Sequence, residues 1–307
     1  MTRAEEAAHL ASPAALLSEA RESTDAILAQ WAQRLARDVP GEEGRGLAYA
    51  LAGPGKRIRP ALVMAAYRSV GGSNEAVATL AAAVETVHTY SLVHDDLPCM
   101  DDDDLRRGRP TTHVAFGVSV ATRVGFRLVP VAAKMLAEGS RRMGLAEDTF
   151  GRIARELFQA SGIEGMVGGQ WLDLVAEQQE LTLDELRAIH RGKTGALIKA
   201  SCVIGGLAAG ASDGQVAALA AYGEDVGLAF QVADDVLDTT GTSDSLGKTA
   251  GRDEALRKST YVRLMGVAGA RLEADNLAQS AVSHLHGGGV PAEALAALAE
   301  YIVKRES

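Results

Sequence analysis

Apolar residues recur at three- and four-residue intervals along most of this chain, with charged residues between them. That spacing gathers the apolar side chains on one stripe of an α-helix. It predicts helices over residues 14–37, 76–96, 114–138, 150–178, 183–209, 213–239, 254–283 and 291–305. Clusters of Gly and Pro punctuate them, at Pro40-Gly41, Gly53-Pro54-Gly55, Gly71-Gly72-Ser73, Gly108-Arg109-Pro110, Gly241 to Gly251 and Gly287-Gly288-Gly289. Thr182, with Glu185 three residues on, has the spacing of a capping box. Strict alternation flanked by hairpin turns is missing, as are repeats and low-complexity linkers. The pattern predicts an all-α, single-domain chain over residues 1–307, with about ten helices and disorder expected over 1–12.

Composition supports helices. The chain is 47% hydrophobic but only 4% aromatic, and its many alanines favour helix over sheet. The net charge of −9 argues against nucleic acid as a partner. It leaves room for an anionic substrate, since local cations or bound metal can invert the field. Cys99 and Cys202 form no disulfide framework and match no zinc spacing, which suits a reducing cytoplasm. Residues 1–10 hold charges and no apolar signal core. No uncharged apolar run reaches about 18 residues, so no stable membrane insertion is expected, and residues 200–211 read as a buried helix.

Two acidic clusters break the apolar pattern. The first runs Asp95-Asp96-Leu97-Pro98-Cys99-Met100-Asp101-Asp102-Asp103-Asp104-Leu105-Arg106-Arg107, and the second Gln231-Val232-Ala233-Asp234-Asp235-Val236-Leu237-Asp238. Two carboxylates roughly 5 Å apart repel by about 3 kcal/mol at a dielectric near 20. Such clusters persist beside a core when a cation joins them, and all-oxygen sets suit Mg²⁺ completed by water and phosphate. In the second cluster Gln231, Asp234, Asp235 and Asp238 fit one helical stripe. In the first, Pro98 is expected to end the helix and let Asp101 fold back towards Asp95. The adjacent Arg106 and Arg107 add guanidiniums suited to phosphate.

Other segments carry weaker signals. Lys56 and Arg59, in Gly55-Lys56-Arg57-Ile58-Arg59-Pro60, are three apart and share a face. Lys193-Thr194 lies between Gly192 and Gly195, where a break in a helix can leave carbonyls facing a cavity. The polar loop Gly241–Gly251 carries Lys248, with Arg252 and Lys258 after it. His190, Trp31 and Trp171 read as structural.

Together these segments resemble the trans-isoprenyl diphosphate synthases, especially short-chain bacterial farnesyl diphosphate synthases. The likeness runs from about residue 45 onwards and includes GKRIRP (55–60), VETVHTYSLVHDDLPCMDDDDLRRGRPTTH (84–113), GGQWLDL (168–174), GKTGALI (192–198), FQVADDVLD (230–238), LGK (246–248) and KSTY (258–261). The resemblance implies a bundle of mostly antiparallel helices around a deep central cavity, and a homodimer. It implies three Mg²⁺ ions, replaceable by Mn²⁺, bridging the acidic motifs through an allylic diphosphate. Asp95, Asp96 and Asp101 would serve the metals from one side and Asp234, Asp235 and Asp238 from the other. Arg106, Lys193, Gln231, Lys248 and Lys258 would hold the allylic diphosphate. Lys56, Arg59, His88 and Arg107 would hold isopentenyl diphosphate. Thr194 and Gln231 would face the allylic cation, beside Gln170 and Asp173. Tyr90 and Ser91 would limit the tail pocket, and Tyr90 resembles the residue of enzymes that stop at fifteen carbons.

The implied reaction ionises the allylic diphosphate, adds the isopentenyl double bond to the cation and loses a proton, needing no protein nucleophile. One segment departs from the family. Where relatives carry an LAGDAL-like stretch, this chain reads Arg123-Val124-Gly125-Phe126-Arg127-Leu128, with Phe126 at the usual Asp position and Pro130 inside the helix. A reshaped pocket lined by Phe126 and a kink at Pro130 are expected. The competing readings are a geranyl or geranylgeranyl diphosphate synthase, a class I terpene cyclase and a non-catalytic partner subunit. The second DDxxD, in place of a cyclase's N-x-x-x-[ST]-x-x-x-[DE] triad, favours chain elongation.

Overall fold

A computed structural model describes residues 12–176, 179–240 and 259–305. Helix α1 spans Pro13–Asp38, α2 Gly41–Leu51, α3 Ile58–Ser69 and α4 Val77–Asp95. A ribbon of β1 (Leu105–Arg106) and β2 (Arg109–Pro110) follows. Then come α5 (Thr112–Phe116), α6 (Val118–Met143), α7 (Glu147–Ser161), α8 (Met166–Val175) and α9 (Leu183–His190). A π-helical turn, Arg191–Gly195, leads into α10 (Ala196–Ala208), followed by α11 (Asp213–Thr240), α12 (Tyr261–Gly287) and α13 (Glu293–Lys304). The all-α expectation holds. Of residues 1–12, only Ser12 is described, and its hydroxyl accepts from Ala15 N–H to cap α1.

The innermost helix is α4. Every residue from Val77 to Val87 is buried, as befits a helix apolar on all sides. It packs against α3 and α6, while α10 packs against α3, α7 and α11, and α11 lies along α12. The first acidic cluster starts at Asp95, the last residue of α4, and runs on to the hairpin, and the second occupies the later turns of α11. Thr182 and Glu185 form the expected capping box.

Apart from α2, which lies outside the predicted segments, and the division of 114–138 into α5 and α6 at Gly117, four local features differ from the pattern reading. Helix α3 lay outside the periodic segments because Ile58 and all residues from Pro60 to Tyr67 are buried, leaving no polar face to mark the period. The segment 150–178 is two helices, α7 and α8, parted at Gly162. Helix α6 continues past Pro130 to Met143. The carbonyl four residues before that proline belongs to Phe126, on an exposed side of the helix where water can serve it. The fourth is the hairpin, where Leu105 faces Pro110 and Arg106 faces Arg109. Its turn residues Arg107 and Gly108 have φ of 53° and 73°, the paired positive φ of a type I′ turn.

Candidate active site

The end of α4 builds the first side of the site. Asp101 N–H donates to the Asp95 carbonyl at 2.8 Å, and Asp102 N–H to that of Leu97 at 3.2 Å. The chain after Pro98 therefore folds back, bringing Asp101 beside Asp95. Both line a cavity of about 610 Å³. Asp234 reaches it from α11, as do Lys193 and Thr194 from the π turn, Arg106 from the hairpin, and Arg59, His88, Tyr90 and Ser91 from α3 and α4. Met100, Met166, Val167, Trp171 and Leu174 supply apolar wall. Trp31 is core, whereas Trp171, expected to be structural, is 62% exposed and stands on this wall.

Backbone contact sets the position of Lys193. A Cβ on Gly169 would sit 2.0 Å from Lys193 N, so only glycine lets α8 touch the π turn. Across that contact Lys193 Nζ donates to Asp173 at 2.6 Å. Burial lowers the Lys193 pKa, but Asp173 and the more distant Asp95 and Asp101 outweigh it and hold the ammonium above its usual range. Thr194 Oγ1 donates to Gln231 Oε1 at 3.0 Å, tying the turn to α11. The glycine-flanked break is thus a π turn inside a continuing helix, a form that shifts the carbonyl register.

The hairpin sends its arginines opposite ways. Arg106 is held by Asp96 at 2.5 Å and Asp103 at 3.0 Å and faces the cavity. Arg107 donates to the Pro54 carbonyl. Arg57 Nη2 donates to the Gly53 carbonyl at 2.7 Å and Arg109 Nη1 to that of Ala52 at 3.2 Å. Three guanidiniums therefore hold three successive carbonyls of the turn before Lys56. Arg57, with φ of 54°, is anchored by Glu85 and Asp25 at 2.7 Å each. Neither Arg57 nor Glu85 stood out in the sequence, since one more arginine beside Lys56 and one carboxylate inside α4 mark nothing by spacing.

Charge on the wall is unbalanced. Burial, opposed by Lys193 and reinforced by Asp101, pushes the Asp95 carboxyl up to about 6. Burial and then Arg59, Arg107 and Arg106 push His88 well below the ordinary histidine range, so its ring is neutral at pH 7. Arg59 Nε and Gln170 Oε1 are buried with no hydrogen-bond partner among the described residues. Also among those residues, no three His, Cys, Asp or Glu side chains close into a metal cage. Carboxylates on facing elements, with cations between them, instead fit Mg²⁺ that shares its shell with a diphosphate.

Several expected site residues lie elsewhere. Asp96 is 4% exposed and bound to Arg106, so it positions a cation instead of facing the cavity. Asp235 accepts from Tyr261 N–H at 2.8 Å, at the start of α12, and Asp238 is buried. The acidic stripe of α11 therefore divides, because adjacent helical residues are about 100° apart. Arg107 and Lys56 do not line the cavity. Phe126, expected in its wall, is 65% exposed and meets His94 edge-to-face at 5.2 Å, which meets Tyr90 edge-to-face at 5.0 Å. Arg127 and Arg123 pair with Glu43 on the surface. His190 packs against Tyr261 at 5.6 Å. Lys248 and Lys258 lie outside the described residues.

Residues 45–286 match the model of the polyprenyl synthetase family. The chain belongs to that family. It is 47% identical over 255 residues to the farnesyl diphosphate synthase of Escherichia coli K12, covering 82% of this chain and 85% of that protein. A crystal structure of an FPP/GFPP synthase from Zymomonas mobilis, 33% identical, superposes with a TM-score of 0.81 over 94% of this chain and 98% of its own. That of the Helicobacter pylori geranyltransferase complexed with magnesium and isoprenyl diphosphate, 29% identical, gives 0.77 over 94% and 96%. Among the described residues, no helix of this polyprenyl synthetase is long and apolar enough to cross a membrane.

Proposed function

We propose that this polyprenyl synthetase condenses isopentenyl diphosphate with dimethylallyl or geranyl diphosphate, in the cytoplasm and with Mg²⁺, to give farnesyl diphosphate. The observation that carries the reading is one cavity with Asp95 and Asp101 opposite Asp234, and Arg59, Arg106 and Lys193 around them. Three ions, replaceable by Mn²⁺, would be held by Asp95, Asp101 and Asp234, with Asp235 and Asp238 behind Asp234. Bound metal would add positive charge to the allylic diphosphate as it leaves.

The chain's own groups account for the rest. Arg106 and Lys193 hold the leaving diphosphate, aided by Lys248 and Lys258. Their charge stabilises the anion formed on ionisation. Thr194 and Gln231 turn polar oxygens towards the allylic cation. Arg59 and neutral His88 receive isopentenyl diphosphate, and Arg107 and Lys56, outside the cavity lining, add to the positive field beside them. Met100, Met166, Val167 and Leu174 exclude water that would quench the cation. The new bond joins isopentenyl C4 to allylic C1, and the proton lost from the isopentenyl unit passes to the departing diphosphate. Tyr90 closes the tail pocket near fifteen carbons.

Exposed Val114, Val118 and Phe126, on α5 and α6, favour burial against a second copy and support a homodimer. Unpaired Cys99 and Cys202 suit a reducing compartment. The test is to supply Mg²⁺, isopentenyl diphosphate and allylic primers of five, ten and fifteen carbons, then size the hydrolysed products. Farnesol from the two shorter primers is expected. Failure to elongate any primer refutes the reading, and a twenty-carbon main product refutes the assigned length.

A further inference from the structure

Just beyond α13, Arg305 reaches the second acidic cluster from a part of the chain that no motif marks. Its side chain is 1% exposed, whereas that of Asp234 is 42% exposed. Nη2 donates to Asp234 Oδ1 at 2.5 Å and to the Phe230 carbonyl at 3.2 Å. Nη1 donates to the Ile302 carbonyl, and the guanidinium lies over the Phe230 ring at 4.1 Å. Arg305 N–H also donates to the Tyr301 carbonyl at 2.9 Å. The guanidinium is thus fixed by one ring, two carbonyls and one carboxylate.

We propose that Arg305 is a positioning residue for Asp234: it holds Oδ1 and so presents Oδ2 to a metal–diphosphate ligand in the cavity. This rests on the reading under Proposed function. Carboxylates that ligate metals are commonly fixed by such outer hydrogen bonds, whose loss costs about 10–100-fold in metal affinity. A displaced-counterion role fits the contacts less well. Moving Arg305 off Asp234 would leave a buried cation with two carbonyls and a ring but no carboxylate, at a cost of several kcal/mol. Lys56 shares the same field. Burial and then Arg305 lower its pKa, while Asp234 acts against them.

The experiment titrates Mg²⁺ into the full chain with inorganic pyrophosphate, followed by calorimetry. Wild type should bind pyrophosphate in a Mg²⁺-dependent way. Arg305→Gln should raise the half-saturating Mg²⁺ by about tenfold, and Arg305→Lys, which keeps the charge, should raise it less. In an Asp234→Asn background, Arg305→Gln should add less than about twofold. An unchanged or lowered Mg²⁺ requirement in Arg305→Gln overturns the proposal, as does an equal tenfold effect in the Asp234→Asn background. If Arg305→Gln does not fold, wild-type Mg²⁺ dependence in Arg305→Lys overturns it, and a requirement raised severalfold supports it. Absence of pyrophosphate binding in wild type sinks the functional reading and this proposal together. Wild-type binding with indifferent variants sinks this proposal alone.

Discussion

Replacing Glu85 by Gln should expose how much the turn before Lys56 depends on one buried ion pair. Glu85 and Arg57 side chains are 3% and 4% exposed and 2.7 Å apart. Glutamine keeps the shape and one acceptor but removes the charge. Arg57 then retains Asp25, which is 43% exposed, as its remaining carboxylate. Removing one member of a buried pair costs about 3–5 kcal/mol, and the surviving hydrogen bond puts this case near 3 kcal/mol. With about 2.1 cal/mol/K of unfolding entropy per residue, a chain of 307 residues would melt about 5 °C lower. Arg57 also holds the Gly53 carbonyl, so the turn before Lys56 should loosen, raising KM for isopentenyl diphosphate more than it lowers kcat. Urea unfolding and steady-state kinetics check both. A loss below about 1 kcal/mol, or an unchanged KM, would refute the reasoning.

Asp95→Ala and Asp234→Ala should each abolish turnover while circular dichroism stays that of wild type. Residual turnover above about one per cent would remove that residue from the essential set. Tyr90→Ala should lengthen the main product, whereas Phe126→Asp, acting through His94, should shift the product profile less; product sizing separates the two. Gly169→Ala should push α8 off the π turn and part Asp173 from Lys193, costing about 3 kcal/mol or more. It should lower kcat as well, and a wild-type melting curve would show that the backbones are not in contact.

Much of this protein can be read from local pattern. Helical periodicity reports which face of a segment meets apolar neighbours, so α1, α11 and α13 are legible, while α4 is legible from its length and its acidic end. Pro98 between two acidic groups foretold the turn that brings Asp101 to Asp95. Contacts between distant segments follow other rules. Nothing in the spacing shows that Asp96 is bound by Arg106, that Asp235 accepts the first N–H of α12, or that Phe126 stands outside the wall. A periodicity gives a residue's angle on its own helix, while its partner depends on how helices cross. Arg305, Arg57 and Glu85 were unmarked for that reason. Residue order alone specifies an all-α chain with two acidic clusters and the cations to match them. Packing selects which carboxylates face the cavity and which position arginines, because burial and pairing are properties of packed elements and not of segments.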